Sequence, residues 1–330
     1  MLTSKEKKTT NNMQTVLVAG GAGFIGSHLC KSLLQKNYKV ICVDNFITSD
    51  KKNIEPFLNN QNFVFLEKDV TKPLDLSEKI DYIFHLASPA SPNKKSPRSY
   101  INHPIETLLV NSLGTYNLLE LAKKLSSKFL YASTSEVYGD PAVSPQKEDY
   151  FGNVNPNGIR SVYDEGKRFG EAMAMAYLRK FDLDVKIIRI FNTYGPMMQI
   201  DDGRVVSNFI NQAILNKPIT IYGDGSQTRS FCYIDDMAEG LMLAMFSDKI
   251  KGEVINLGNP DERKISELAA IIKDITGSQS EILFEDLPED DPKVRKPDIS
   301  KAERLISWTP KVGIEQGVRK TVEYFKSINI

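Results

Sequence analysis

Short apolar runs alternate with longer amphipathic stretches through the first 190 residues. The first run, Thr15-Val16-Leu17-Val18-Ala19, ends in glycines and predicts a buried strand. A helix is predicted from about Phe24 to Lys36, because Ile25, Leu29, Leu33 and Leu34 recur on one side. Lys39–Asp44 is a second apolar run. Further strands are predicted at Phe63–Glu67, Tyr82–Leu86, Lys128–Ala132 and Val185–Ile190. Helical patterns at Thr107–Lys124 and Ser161–Lys180 fill two of the longer gaps. Such alternation builds parallel βαβ units, so the predicted class is α/β with a doubly wound parallel sheet.

After Ile190 the pattern loosens. Gly, Pro, Asn and Asp cluster over Asn192–Gly203, and later helix and strand signals no longer alternate regularly. The expected division places residues 13–195 plus about 229–258 in the sheet domain. About 196–228 plus 259–330 form a smaller lobe, while 229–245 and 253–257 return to the main sheet. Polar residues 1–12 have nothing to bury and are expected to form a disordered tail. The acidic stretch Glu285–Asp291 is expected to be a solvated loop.

Composition narrows the function classes. The chain has 330 residues, with 42 Lys plus Arg against 42 Asp plus Glu. Zero net charge disfavours nucleic acid as a partner, although a small anion needs only a few local cations. Cys30, Cys42 and Cys232 are isolated, and His28, His85 and His103 are scattered, so no disulfide framework and no metal site is expected. No apolar run approaches the roughly 18 residues of a membrane span. A cytoplasmic location without a membrane partner is therefore expected.

Candidate chemistry starts at the first strand-to-helix turn. Gly20, Gly23 and Gly26 form a G-x-x-G-x-x-G pattern there. Glycines allow a tight turn and close approach of backbone to a pyrophosphate, which the helix N-terminus attracts. Asp44 ends the next strand, where a carboxylate accepts bonds from ribose hydroxyls and repels a 2′-phosphate. NAD is favoured over NADP for that reason. Asp69-Val70 could flank the adenine, and small Ala87 at the end of the fourth strand would let the cofactor approach. His85 is read as a packed or hydrogen-bonded strand-end residue.

Tyr163 and Lys167 are four apart on a predicted helix and share a face. The ammonium is expected to lower the tyrosine pKa. Tyr163 can then take a proton from a hydroxyl as hydride leaves the same carbon, and Lys167 can hold the nicotinamide ribose. Thr134, at the end of the fifth strand, is placed to bond the reacting hydroxyl. Glu136 could act on the neighbouring carbon.

Together these motifs resemble the extended short-chain dehydrogenase/reductase family of sugar-nucleotide epimerases and dehydratases. The segments His85–Pro92, Ser133–Asp140, Tyr163–Arg168, Arg189–Pro196, Asp202–Ile210 and Arg295–Asp298 take the match further. From about Thr15 to Phe325 the chain is similar to the UDP-glucuronate decarboxylases of that family. The resemblance implies a Rossmann domain, a smaller α/β lobe that binds the UDP-sugar, and tightly held NAD. It implies a homodimer packed through the two predicted helices Thr107–Lys124 and Ser161–Lys180. The implied reaction oxidises C4 of UDP-glucuronate, loses CO2 from the 4-keto acid, protonates C5 and reduces C4 again, giving UDP-xylose.

The resemblance also assigns residues. Thr134, Glu136, Tyr163 and Lys167 fall on catalytic positions. Gly20, Gly23, Phe24, Ile25, Gly26, Asp44, Asn45, Asp69, Val70, Leu86, Ala87, Ser88, Ser133 and Thr193, with Tyr163 and Lys167, are implied to bind NAD. Ser88, Pro89, Ser135, Glu136, Asn192, Arg204, Val206, Tyr222, Gln227, Arg229 and Arg295 are implied to bind UDP-glucuronate. Arginine's planar fork suits a diphosphate or carboxylate. Arg204 is the first candidate for the sugar carboxylate and Arg295 the second.

Two features depart from the family pattern. Asn93–Tyr100 is longer than expected, and Met197 stands where arginine is expected after Gly195-Pro196. Four other readings stay open. A 4-epimerase has no need of Glu136, and a 4,6-dehydratase would carry Asp in place of Ser135. A UDP-apiose/xylose synthase shares the first steps. A non-catalytic NAD or nucleotide-sugar binder would usually have lost Tyr163 or Lys167.

Overall fold

Short runs of branched and apolar side chains, buried on both faces, produce the sheet, and apolar positions at period 3.6 produce its cover. The computed structural model describes residues 13–287 and 294–328. The first half runs β1 (Thr15–Ala19), α1 (Phe24–Gln35), β2 (Lys39–Asp44), β3 (Phe63–Glu67) and β4 (Tyr82–His85). It continues through α2 (Pro104–Leu109), α3 (Thr115–Leu125), β5 (Lys128–Thr134), α4 (Ser161–Phe181) and β6 (Val185–Ile190). Next come β7 (Thr193–Tyr194), α5 (Val205–Ile214), β8 (Ile219–Tyr222), β9 (Thr228–Ser230), β10 (Cys232–Tyr233) and α6 (Ile234–Phe246). The chain ends with β11 (Val254–Leu257), β12 (Glu262–Lys264), α7 (Ile265–Thr276), β13 (Ile282–Glu285), β14 (Val294–Arg295), α8 (Ser300–Ile306) and α9 (Ile314–Ile328).

The main sheet is parallel, in the order β11-β6-β5-β4-β1-β2-β3. Alternate strand residues face opposite layers. Val16, Val18, Val40, Cys42 and Phe84 pack with Leu29 and Leu33 of α1 and Met237 and Leu241 of α6. Leu17, Ile41, Val43, Ile83 and Phe129 pack with Leu118 and Ala122 of α3 and Ala174 of α4. This is a doubly wound, Rossmann-type α/β fold. Strand order reverses between β1 and β4, so the loops leaving these two strands diverge and open a crevice at their C-terminal ends. Phe209 and Ile210 of α5, Leu268 and Ile272 of α7 and Val318 and Phe325 of α9 form a separate apolar cluster.

Three expectations change. The predicted helix at Thr107–Lys124 begins earlier, with Pro104 in its first turn, where a missing N–H costs nothing. A π-helical turn at Val110–Gly114 then separates α2 from α3. That turn accommodates two polar contacts: Asn111 Nδ2 donates to Ser88 Oγ at 3.0 Å, and Thr115 Oγ1 meets His85 Nε2 at 3.1 Å. The expected return of 229–245 to the main sheet is only half right. β9 instead joins β12 and β14 in a small sheet, while α6 covers the main sheet, because Ile234, Met237, Ala238, Leu241 and Met245 recur at helical spacing. The expected acidic loop begins inside β13, where Glu285 takes an ion pair from Lys95 at 3.2 Å. Residues 288–291 of that expected loop, and the expected disordered tail, 1–12, lie outside the described residues. Among the described residues no helix is long and apolar enough to cross a membrane.

Candidate active site

The turn after β1 folds so closely on itself that glycine is required. Gly20 has φ +80°, and a Cβ there would lie 2.6 Å from the Ala87 backbone nitrogen. A Cβ on Gly26 would lie 2.1 Å from the Gly20 carbonyl oxygen. α1 starts at Phe24 with no side-chain cap, so its first-turn N–H groups have no intrahelical acceptor. Asp44 accepts from the Ala22 N–H at 3.0 Å, the Phe46 N–H at 2.9 Å and Ser49 Oγ at 2.7 Å. A bare glycine cradle facing open helix donors, with an oriented carboxylate one strand away, fits an adenine dinucleotide.

A cavity of about 920 Å³ opens above the C-terminal ends of the main strands. A smaller one of about 130 Å³ adjoins it, and the two share Gly20, Gly23, Leu86 and Ser88. Asp44, Asn45, Asp69, Val70, Ala87 and Pro89 line the smaller chamber. The larger is lined by Phe24, Ile25, Gly26, Ser133, Thr134, Ser135, Glu136, Tyr163, Lys167, Asn192 and Thr193 from the main domain. Arg204, Val206, Tyr222, Gln227, Arg229 and Arg295 line its other side. Every residue assigned above therefore lines one or both of these two adjoining cavities. Among the described residues there is no cluster of metal-ligating side chains.

Tyr163 and Lys167 sit one turn apart on α4, as the spacing required. Lys167 Nζ donates to the Ala132 carbonyl at 2.8 Å and lies 5.7 Å from the Tyr163 ring centre. The expected lowering of the tyrosine pKa is not the net effect in this structure. Burial pushes the Tyr163 hydroxyl up, and the Thr134 hydrogen bond only partly offsets this. Burial also drives Lys167 down to about 7, so its charge is itself disfavoured. The Tyr163 ring stacks face to face on buried Tyr100, with centres 4.9 Å apart. His85 is buried and neutral, pushed down to about 3 by desolvation, as suits a structural strand-end residue.

Glu136 lies in a 3₁₀ turn just beyond β5. Arg160 Nη2 donates to its Oε2 at 2.6 Å, and Arg295 Nη2 to the same oxygen at 3.1 Å. Burial raises the Glu136 pKa, but Arg160, Arg295 and Arg229 outweigh it and hold the carboxyl at about 2. Arg295 also donates to the Ser135 carbonyl. Its position is set by β14, which pairs with β9 so that Arg295 stands beside Arg229. Arg204, at the start of α5, forks onto Asp202, with one bond at 2.8 Å. Arg295 is thus bonded to protein acceptors at two of its nitrogens, and both candidate arginines already have an anionic partner.

Sequence reasoning missed Arg160, Asp164 and Tyr100. Arg160 precedes Tyr163 by three residues, a helical neighbour in plain sight, but its bond to Glu136 crosses 24 residues. Asp164 is buried with one carboxyl oxygen unpartnered. Burial and the Glu136 charge push it up to about 8. Folded Asp164 therefore keeps a proton that the unfolded chain releases near pH 4. Its stabilising contribution is complete below about pH 4 and is lost as pH rises through about 8. Asp164→Asn should accordingly flatten the decline of melting temperature between about pH 5 and 8.5. Parallel curves for variant and wild type would exclude a buried, proton-bearing Asp164.

The comparisons agree with this geometry. Residues 16–258 match the NAD dependent epimerase/dehydratase family. UDP-glucuronic acid decarboxylase 1 of Xenopus tropicalis is 48% identical over 311 residues, 94% of this chain and 72% of the relative. The chain belongs to the UDP-glucuronic acid decarboxylases of the NAD dependent epimerase/dehydratase family. A second decarboxylase, number 6 of Arabidopsis thaliana, is 48% identical over 96% of this chain and 90% of its own length. Among solved structures, the Bacillus cereus UDP-glucuronic acid 4-epimerase with UDP-glucuronic acid and NAD superposes with a TM-score of 0.84. It is 32% identical, covering 96% of this chain and 100% of that one. The chain therefore shares its overall fold with that 4-epimerase of UDP-glucuronic acid.

Proposed function

We propose that the protein converts UDP-glucuronate to UDP-xylose and CO2. The observation that carries the reading is Glu136, ionised between Arg160 and Arg295, in the same cavity as the Tyr163/Lys167 pair. A pair that oxidises one carbon then stands beside charged groups suited to a carboxylate on the next. The 48% identity to decarboxylases over nearly the whole chain supports it.

Bound NAD supplies the acceptor and donor of hydride at C4. Tyr163 takes the C4 hydroxyl proton, aided by Thr134, and returns it when C4 is reduced. Oxidation makes the sugar a β-keto acid. The electrons of the breaking C5–carboxylate bond flow into the C4 carbonyl, CO2 leaves, and the enolate is protonated at C5. Arg204 and Arg295, with Arg229, provide positive charge for the diphosphate and carboxylate. Lys167 holds the nicotinamide ribose, and Asp44 the adenosine ribose.

Residues 13–195 and about 229–258 hold the coenzyme, and about 196–228 and 259–330 the UDP-sugar. The separate apolar cluster of α5, α7 and α9 supports that division. The protein is proposed to act as a homodimer in the cytoplasm. Ile105 is 61% exposed and Phe169 49%, and Leu109, Leu113 and Tyr116 join them on the helices expected to pair. Unpaired, buried Cys30, Cys42 and Cys232 suit a reducing compartment.

The neighbouring fold favours one second reading, a 4-epimerase of UDP-glucuronate. Incubation with UDP-glucuronate distinguishes the two. CO2 release with UDP-xylose, in the absence of added NADH, is expected. Formation of the C4 epimer with the carboxylate retained would establish the second reading instead.

A further inference from the structure

Residues 91–100 form a strap along the larger cavity, which Ser91, Asn93, Lys95 and Arg98 line. On one side the strap is stitched to the run that ends in Arg204. Ser91 Oγ donates to the Asp202 carbonyl, Ser96 Oγ to the Asp201 carbonyl, and Asn93 Nδ2 to the Gly203 carbonyl at 3.0 Å. The contact is close, since a Cβ on Gly203 (φ +85°) would fall 2.6 Å from Asn93 Cβ. On the other side, Arg98 reaches the loop after β2. Its Nη1 donates to the carbonyls of Thr48 at 2.8 Å and Ser49 at 3.1 Å, while Nε bonds Asp201 Oδ1 at 2.8 Å. Ser49 in turn donates its hydroxyl to Asp44. Thr48 and Ser49 border both chambers. One guanidinium, only 24% exposed, therefore ties the wall beside Asp44 to the run carrying Arg204. Bonding the Thr48 and Ser49 carbonyls through Nη1 and Asp201 through Nε suits a rigid fork of donors, which lysine lacks.

We propose that Arg98 is a positioning residue that couples retention of the coenzyme to occupation of the UDP-sugar side. The proposal rests on the reading of the cavity as a site for NAD and UDP-glucuronate. A diphosphate that engages Arg204 fixes the 201–204 run. Through Ser91, Asn93 and Ser96 that run fixes the strap, and through Arg98 the strap fixes the 48–49 loop. The coenzyme leaves past that loop only when the contacts of Arg98 break. To the extent that the tie raises the equilibrium affinity for coenzyme as well as slowing its release, bound coenzyme strengthens UDP binding by that same affinity factor.

The test follows NAD release from holoenzyme, with and without UDP, for wild type, Arg98→Ala and Arg98→Lys. UDP should slow release from wild type by at least about tenfold, equivalent to about 1.4 kcal/mol. Arg98→Ala should release NAD at one rate whether or not UDP is present, and its turnover should depend on added NAD. With NAD saturating, its kcat should fall less than its NAD affinity. Arg98→Lys, which keeps the charge without the fork, should recover only part of the UDP effect. A full UDP effect in Arg98→Ala, or none in wild type, overturns the proposal. If Arg98→Ala does not fold, Asp201→Ala, which removes the acceptor of Arg98 Nε, serves in its place, and an undiminished UDP effect there overturns it as well. Wild type that binds neither NAD nor UDP would instead overturn the functional reading beneath it.

Discussion

Tyr163→Phe should lower turnover of UDP-glucuronate by roughly 10³-fold while UDP binding survives. The substitution removes one oxygen and leaves the ring, so the face-to-face stack on Tyr100 and the packing of α4 against β5 persist. What disappears is the group proposed to exchange a proton with the C4 hydroxyl, together with the acceptor for Thr134. The loss belongs in kcat, because the hydroxyl acts on charge that develops during oxidation, whereas the arginines proposed to hold the diphosphate are untouched. Burial works against the phenolate in the protein without ligands. Oxidation should therefore accelerate toward high pH in wild type and lose that dependence in Tyr163→Phe. CO2 release at wild-type rate from the variant would remove Tyr163 from the chemistry.

The structure also shows which parts of such a site can be read from a chain. The glycine turn, Asp44 and the Tyr163/Lys167 pair are local: each lies within one turn or at the end of one strand, and local geometry decides what it faces. The strands of the main sheet were legible for the same reason, since full burial on two faces leaves short apolar runs such as Val16–Ala19. The electrostatics of Glu136 were not legible. They depend on Arg160, the residue that immediately precedes α4, and on Arg295, delivered by a two-residue strand that has no periodicity to detect. The same holds for the direction of the Tyr163 shift, which follows from how deeply α4 sinks rather than from the Tyr-x-x-x-Lys spacing. The π turn at Val110–Gly114 and the strap contacts of Arg98 arise from polar pairings across distant segments. Composition carried even less, because three arginines can make one pocket positive inside a chain whose net charge is zero.

Glu136→Gln should cut formation of UDP-xylose by about 10²-fold and also destabilise the protein. The second effect follows from burial. Arg160 and Arg295 converge on one carboxylate oxygen, and an amide there removes the negative charge that both guanidiniums approach. Breaking a buried ion pair from one side costs about 3–5 kcal/mol, which a melting curve resolves easily. Saturating UDP-glucuronate should restore part of it, because the sugar carboxylate supplies the missing anion. The first effect follows from the protonation state. A carboxyl held at about 2 is ionised at neutral pH and cannot itself donate the C5 proton. It can accept a hydrogen bond from a water and fix that water at the face of the enolate, once CO2 has gone. Glutamine keeps an acceptor but loses the charge that orients the water. CO2 release should therefore outpace UDP-xylose formation in the variant, with the keto pentose nucleotide accumulating. CO2 and UDP-xylose appearing together at the wild-type rate would leave Glu136 with a structural role alone. Equal slowing of both would place Glu136 at the oxidation or at the loss of CO2 rather than at the protonation that follows.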